Sequence, residues 1–228
     1  MAGRRVIVTG ATGMVGGLAL ELCLAHPDVS GVTAVGRRPT GVSHAKLRDV
    51  VHEDFSSFEN IADVFAEQDV CLYCLGVYGG TVSDDVFRAV TTDYTLSFAQ
   101  ALHARSPGAA FCFLSGQGAD PSGKSRMAFA RYKGAAESGL RELGFGRLHV
   151  FRPGYIHPVT PRTEPSLVYR TMRALYPALS AVYPNVGVES EDLARAMVHA
   201  GLFGVAGHDD PVLENRDIRL LAASLRQE

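Results

Sequence analysis

The chain has 228 residues, 46% of them apolar and 20% charged, with a formal net charge of −2. That balance suits an α/β chain long enough to bury a substantial core, and it gives no reason to expect nucleic acid or an anionic membrane as partner. No stretch approaches the ~20 apolar residues of a membrane span. The first element in chain order is the β-branched run Val6-Ile-Val-Thr9, directly before Gly10-Ala-Thr-Gly13-Met-Val-Gly16. This order predicts a strand over 5–9, a tight turn, and a helix over 13–26 carrying Leu18, Leu20, Leu22 and Leu24. A helix that starts there presents unpaired N–H donors and partial positive charge, and glycines let a diphosphate approach the backbone. Three spaced glycines alone are a weak signal. Between a strand and an apolar helix they read as a dinucleotide-binding fingerprint, with Gly10, Thr12, Gly13, Met14 and Val15 as the cradle. Arg4 and Arg5 precede an apolar run too short for a signal-peptide core, so the expected location is cytoplasmic.

The next strands are expected over 31–36, 47–51, 70–75, 109–115 and 147–152. Helices are expected over 57–67, 83–105, 125–142, 165–178 and 190–201. Regular alternation of this kind predicts an α/β fold, a Rossmann-type doubly wound parallel sheet with helices on both faces. The whole chain, 1–228, reads as one NAD(P)-binding domain, with a small, irregular substrate-side lobe over 153–188 where prolines cluster. Ligands in such sheets bind outside the carboxyl ends of the strands, so motifs that follow strands meet along one edge.

Several motifs do follow strands. Gly36-Arg37-Arg38 lies where NAD-preferring sites place an acid for the ribose 2′-hydroxyl. Two guanidiniums there suit the 2′-phosphate of NADP instead, the alternative being a solvated basic loop. Asp54 and Phe55, after the third strand, are placed to meet the adenine, or else to cap the segment at Ser56 and Ser57. Leu75-Gly76-Val77 is a small-residue turn that admits the nicotinamide ribose. Cys71-x-x-Cys74 sits in a strand, where residues three apart face opposite ways, so both thiols read as core packing rather than a metal or redox pair. The eight histidines show no ligand spacing, and no metal is expected.

Taken together, these residues resemble the short-chain dehydrogenase/reductase superfamily in its extended-to-atypical arm. More narrowly, the chain is similar to the Tat-interacting-protein family of NADP-binding oxidoreductases. The matching segments are Thr9–Gly16, Gly36-Arg-Arg38, Cys74-Leu-Gly76, Asp93-Tyr94, Leu114-Ser-Gly-Gln-Gly-Ala-Asp120, Lys133-Gly134 and Phe151-Arg-Pro-Gly154. The resemblance assigns Ser115 and Lys133 to the superfamily's serine and lysine, the lysine holding the ribose and lowering the pKa of a phenol one helical turn before it. That phenol position is residue 129, which here is phenylalanine. Tyr132 is a substitute only if the helix register differs, and Tyr78 and Tyr155 are further hydroxyls. Pro153 and Tyr155 match the segment that closes over the nicotinamide, or form an ordinary turn. Glu191 and Asp192 read as first-turn helix carboxylates.

The expected function is an NADP-dependent oxidoreductase acting on a small carbonyl or alcohol, with NAD less favoured. A different class, a non-catalytic NADP(H)-binding regulator or redox sensor, is what loss of the phenol would produce. An isomerase or dehydratase ranks last because it too relies on that tyrosine. The expected partner is a small-molecule substrate, with a homodimer through helices 83–105 and 125–142, or a protein partner, left open.

Overall fold

The run Val6-Ile-Val is fully buried on both sides because it forms the centre of a covered parallel sheet, the environment that favours β-branched residues. The computed structural model describes residues 3–77, 81–159 and 167–226. Nine strands follow in chain order: β1 (Arg4–Thr9), β2 (Val29–Gly36), β3 (Leu47–Val51), β4 (Val70–Tyr73), β5 (Ala110–Leu114), β6 (Arg147–Arg152), β7 (Tyr155–His157), β8 (Gly187–Glu189) and β9 (Val212–Glu214). Seven of them form one sheet in the order β3-β2-β1-β4-β5-β6-β9, with every pairing parallel. The chain winds outward from β1 to β3, then returns to pair β4 on the other side of β1. The order therefore reverses between β1 and β4. β7 and β8 form a separate parallel pair.

Helices cover both faces. One side carries α1 (Met14–Ala25) and α6 (Ser190–Phe203), with α7 (Asn215–Ser224) packed against α6. The other carries α3 (Tyr94–Arg105) and α4 (Ala128–Leu143) over an aromatic core of Phe65, Phe98, Phe111 and Phe113. Cys71 belongs to this second core, whereas Cys74, just past the end of β4, packs against the first. The two thiols do face apart, and all four cysteines are free.

Three expected elements differ. The helix over 57–67 is a 3-10 segment, Glu59–Phe65, kinked at Ile61. The long helix over 83–105 is α2 (Asp84–Arg88), a π-helical turn at Ala89–Asp93, and α3. The lobe over 153–188 contains the expected helix as α5 (Leu167–Val182), which accommodates Pro177, and differs in adding the strand pair β7 and β8. Strand β9 and helix α7 lie beyond the elements that the sequence pattern predicts. Among the described residues no helix is long and apolar enough to cross a membrane.

The Gly10–Gly16 turn is the tightest part of this frame. Gly10 has φ +68°, and a Cβ on it would lie 2.5 Å from the Cys74 carbonyl oxygen. A Cβ on Gly16 would lie 2.2 Å from the Gly10 carbonyl oxygen. Both contacts are to backbone, which cannot swing aside. Gly16→Ala is expected to cost about 1–3 kcal/mol, as other overpacked sites do, and to lower the Tm by roughly 2–10 °C in a thermal melt followed by circular dichroism.

Candidate functional site

Two depressions lie along the carboxyl edge of the sheet. The larger is a cavity of about 540 Å³ lined by Gly13, Met14 and Val15, by Cys74 to Val77, and by Leu114 to Gln117. Phe129, Lys133, Pro153 to Ile156 and Pro158 complete it. The smaller, about 60 Å³, is lined by Gly10 to Thr12, Ala34 to Arg38, Thr40, Asp49, Phe55 and Leu75. Leu75 borders both. The fold thus brings residues that follow β1, β2, β4, β5 and β6 to the same edge of the sheet, with the β1–β4 reversal among them.

At that reversal, Gly13 is the N-cap of α1 and no side chain caps it. The Gly13 N–H donates to the Gly10 carbonyl at 2.8 Å, which closes the turn. The first-turn amides after it have no partner within the helix, as helix geometry requires. At the far end of the groove Arg37 and Arg38 are exposed and form no ion pair with a described residue. Asp49, which no sequence motif singles out, shares the smaller depression. Its Oδ2 accepts from both the Thr40 N–H and the Thr40 hydroxyl, each at 2.7 Å.

Asp54 neither lines the cofactor edge nor caps the 3-10 segment, whose N-cap is Phe58 without a side-chain cap; it closes a local turn instead. Its Oδ1 accepts from the Ser56 N–H at 2.9 Å and the Ser56 hydroxyl at 2.5 Å, which holds its carboxyl below the usual range, and it lines neither depression. The Phe55 side chain is buried against Phe58 and Tyr94, while its residue borders the smaller depression.

Ser115 leaves β5 with its N–H bound to the Phe151 carbonyl at 2.8 Å. Lys133 reaches from α4 to donate to the Leu114 carbonyl at 2.7 Å, with Nζ 4.7 Å from the Phe113 ring centroid. Burial lowers the Lys133 pKa to about 8, against an opposing pull from the negative charge of Glu137 and from Cys74. Phe129 lies on the same side of α4, one turn earlier. Its ring stacks near Phe87, with centroids 6.5 Å apart, and presses on Gly116, where a Cβ would meet it at 2.5 Å. The wall that a phenol would occupy is therefore hydrocarbon.

Tyr132 is the one catalytic expectation that the geometry removes. Its phenol donates to Asp84 Oδ2 at 2.6 Å on α2, outside the cavity lining, and that bond raises its pKa. One residue along a helix is a 100° rotation, which turns residue 132 away from the face that Lys133 uses. Tyr155 does line the cavity, with its ring centroid 5.5 Å from that of Tyr176. Tyr78 lies outside the described residues.

Sequence reasoning missed Glu137. It is fully buried on α4, one turn beyond Lys133. Its Oε1 accepts from the Ser115 hydroxyl at 2.5 Å and from Arg152 Nε at 3.0 Å, and its Oε2 accepts from Arg152 Nη2. Arg152 also reaches Glu214 on β9, Nη1 to Oε1, at 3.0 Å. A signal existed: buried positions on α4 fall at 130, 133, 134, 136, 137 and 140, so Glu137 interrupts an otherwise core-facing stripe.

A family model described as the NAD dependent epimerase/dehydratase family matches residues 6–128, more than half of the chain. The chain belongs to that family. It is an atypical member of the short-chain dehydrogenase/reductase superfamily, as the motif set from Thr9 to Gly154 implied. Protein HTATIP2 of Rattus norvegicus is 35% identical over 159 residues, covering 68% of this chain and 64% of the relative, so the match spans less than two thirds of that protein. A mitochondrial protein named fmp52 from Emericella nidulans is 29% identical, with 89% of each chain covered. Among solved structures, a short-chain dehydrogenase family protein from Francisella tularensis has a TM-score of 0.68 at 13% identity, covering 96% of this chain and all of that one. A short-chain dehydrogenase from Burkholderia cenocepacia, solved with NADP, has a TM-score of 0.67 at 17% identity, covering 99% and 94%. These structural likenesses fix the fold of this short-chain dehydrogenase/reductase, not its substrate.

Burying the Lys133 ammonium costs stability below pH 8, and the cost disappears as pH rises from about 8 toward 10.5, where the unfolded chain binds more protons. Lys133→Met is therefore expected to gain on wild type at pH 7. The difference should close by on the order of 3 kcal/mol as the pH is raised through that window, measured by denaturant titration of both proteins at each pH.

Proposed function

We propose that this protein is an NADP-dependent oxidoreductase acting on a small, uncharged carbonyl or alcohol. The observation that carries the reading is the pair of depressions that meet at Leu75, one lined by Arg37 and Arg38 and the other by Gly13 to Val15, Ser115 and Lys133. A dinucleotide matches that sequence of surfaces in order. The two unpaired guanidiniums suit a 2′-phosphate, through charge-assisted and bidentate bonds. The α1 amides suit the diphosphate, and Gly10 and Gly16 keep side chains out of its way. Lys133 has two N–H groups left after Leu114 and is the residue to hold the nicotinamide ribose. A bound nicotinamide would supply or accept a hydride.

The protein's own residues do the rest. Ser115 lines the cavity and is the residue to meet a substrate oxygen, Phe129, Ile156 and Pro158 form an apolar wall, and Pro153 and Tyr155 also line the cavity. A lining that is mostly apolar favours an uncharged substrate of modest size. An NADP complex of a structural neighbour, and an NAD complex of another, are compatible with either cofactor, so the preference rests on Arg37 and Arg38. Four free thiols suit a reducing compartment, and cytoplasm is the location this reading favours, although the fungal relatives carry mitochondrial names. The reading takes a small molecule as the partner, not nucleic acid or membrane.

A second reading is favoured by one observation: Phe129 is hydrocarbon and Tyr132 is engaged outside the cavity. A protein that binds NADP(H) and senses its redox state, without turnover, would look the same at the cofactor end. Calorimetric titration separates the cofactors. NADPH is expected to bind at least tenfold more tightly than NADH, and Arg37→Ala with Arg38→Ala should erase most of that difference, about the 1.4–3 kcal/mol of charge-assisted contacts. Tight NADPH binding with no turnover across a panel of aldehydes, ketones and alcohols would favour the sensor.

A further inference from the structure

The unusual feature of the cavity is where the Ser115 hydrogen goes. A serine hydroxyl has one hydrogen and two lone pairs. Here the hydrogen is given to Glu137 Oε1, on a side chain with no solvent exposure. Glu137 is held against it by Arg152, which uses Nε on the same oxygen and Nη2 on the other. Every oxygen of the carboxylate is therefore occupied by a donor, and the carboxylate cannot turn away to release Ser115. Arg152 is anchored in turn by Glu214, whose side chain is 48% exposed at the sheet edge. The chain of contacts runs from the surface, through the edge strand β9, to one hydroxyl in the cavity.

We propose that Glu137 is a positioning residue that commits Ser115 to accept hydrogen bonds, so that the cavity selects a substrate presenting a hydroxyl donor over one presenting a bare carbonyl oxygen. This rests on the oxidoreductase reading of the same cavity and adds the ligand's chemical class. A ligand hydroxyl can give its hydrogen to a Ser115 lone pair at no loss elsewhere. A ligand carbonyl has only lone pairs to offer, and meets a lone pair on Ser115 unless the bond to Glu137 is broken. Breaking that bond leaves a buried carboxylate short of a donor, which is costly where the surroundings are apolar. Phe129 strengthens the selection because the residue one turn before Lys133 has no hydroxyl hydrogen to offer in place of Ser115.

The test uses two probes of nearly equal shape, cyclohexanol and cyclohexanone, titrated into the cofactor-free protein and followed by saturation-transfer NMR. Wild type should prefer the alcohol over the ketone about three- to tenfold more strongly than Ser115→Ala does, the span of one net hydrogen bond. Ser115→Ala keeps the Glu137–Arg152 pair intact and sets the baseline ratio. Glu137→Met combined with Arg152→Met removes the acceptor together with its guanidinium, which frees the serine hydrogen for the cavity, and should lower the alcohol preference to or below that of Ser115→Ala. A purely structural Glu137 would weaken both probes together and leave the ratio unmoved. An unmoved ratio in the Glu137→Met, Arg152→Met double variant, equal ratios in wild type and Ser115→Ala, or binding of neither probe would each overturn the proposal. NADPH titration of the same wild-type sample tests the oxidoreductase reading separately. No NADPH binding would sink that reading, while the probe ratio would still decide the role of Glu137.

Discussion

The close approach of the first glycine turn to the end of β4 is the constraint on which the rest of the molecule depends. Gly10 turns with positive φ against the Cys74 carbonyl, and Gly16 folds the first turn of α1 back over Gly10. Any side chain at either position would push α1 outward. Because neither can carry one, the N-terminus of α1 sits in the gap where the strand order reverses, with its free amides facing the groove. The neighbouring strand ends then supply everything else: Arg37 and Arg38 from β2, Leu75 to Val77 from β4, Ser115 from β5 and Pro153 to Tyr155 after β6.

The second organising principle is electrostatic. Lys133 and Glu137 occupy successive turns of α4, and both are buried, yet the structure gives them different supports. Lys133 is satisfied by a backbone carbonyl and a ring face, which leaves its ammonium poorly solvated and easily deprotonated. Glu137 has a guanidinium on both oxygens, the strong, bidentate arrangement that repays burial of a carboxylate. Removing Arg152 would take away two of the carboxylate's three donors, and removing Ser115 one. The site thus combines a loosely held cation with a firmly held anion, and the anion dictates what the adjacent hydroxyl can do.

Much of the fold was legible because its signals are local. Short apolar runs mark the six central strands, β-branched in β1 and β2, and their alternation with apolar helices implies the parallel order. β9 and the β7–β8 pair escaped because each strand is three residues long, too short for a period to register. Helix α7 escaped with β9, although its capping box, Glu214 with Asp217, is a readable start signal. The 3-10 segment at Glu59–Phe65 has the apolar spacing of a helix; packing of Phe65 on Phe58 and Phe98 tightens it instead.

For the site, the order of residues along the chain was enough to nominate the glycine cradle, Arg37, Arg38, Ser115 and Lys133, because each follows a strand end or shares a helix face at fixed spacing. It also exposed the missing phenol, since position 129 is defined by counting one turn back from Lys133. What the chain alone left open was direction and partnership. Asp54 closes a local turn with Ser56, Tyr132 faces Asp84, and Glu137 takes the Ser115 hydrogen. Those outcomes depend on contacts between residues 22 to 48 positions apart, or on which way one oxygen points, and only the packed structure decides either.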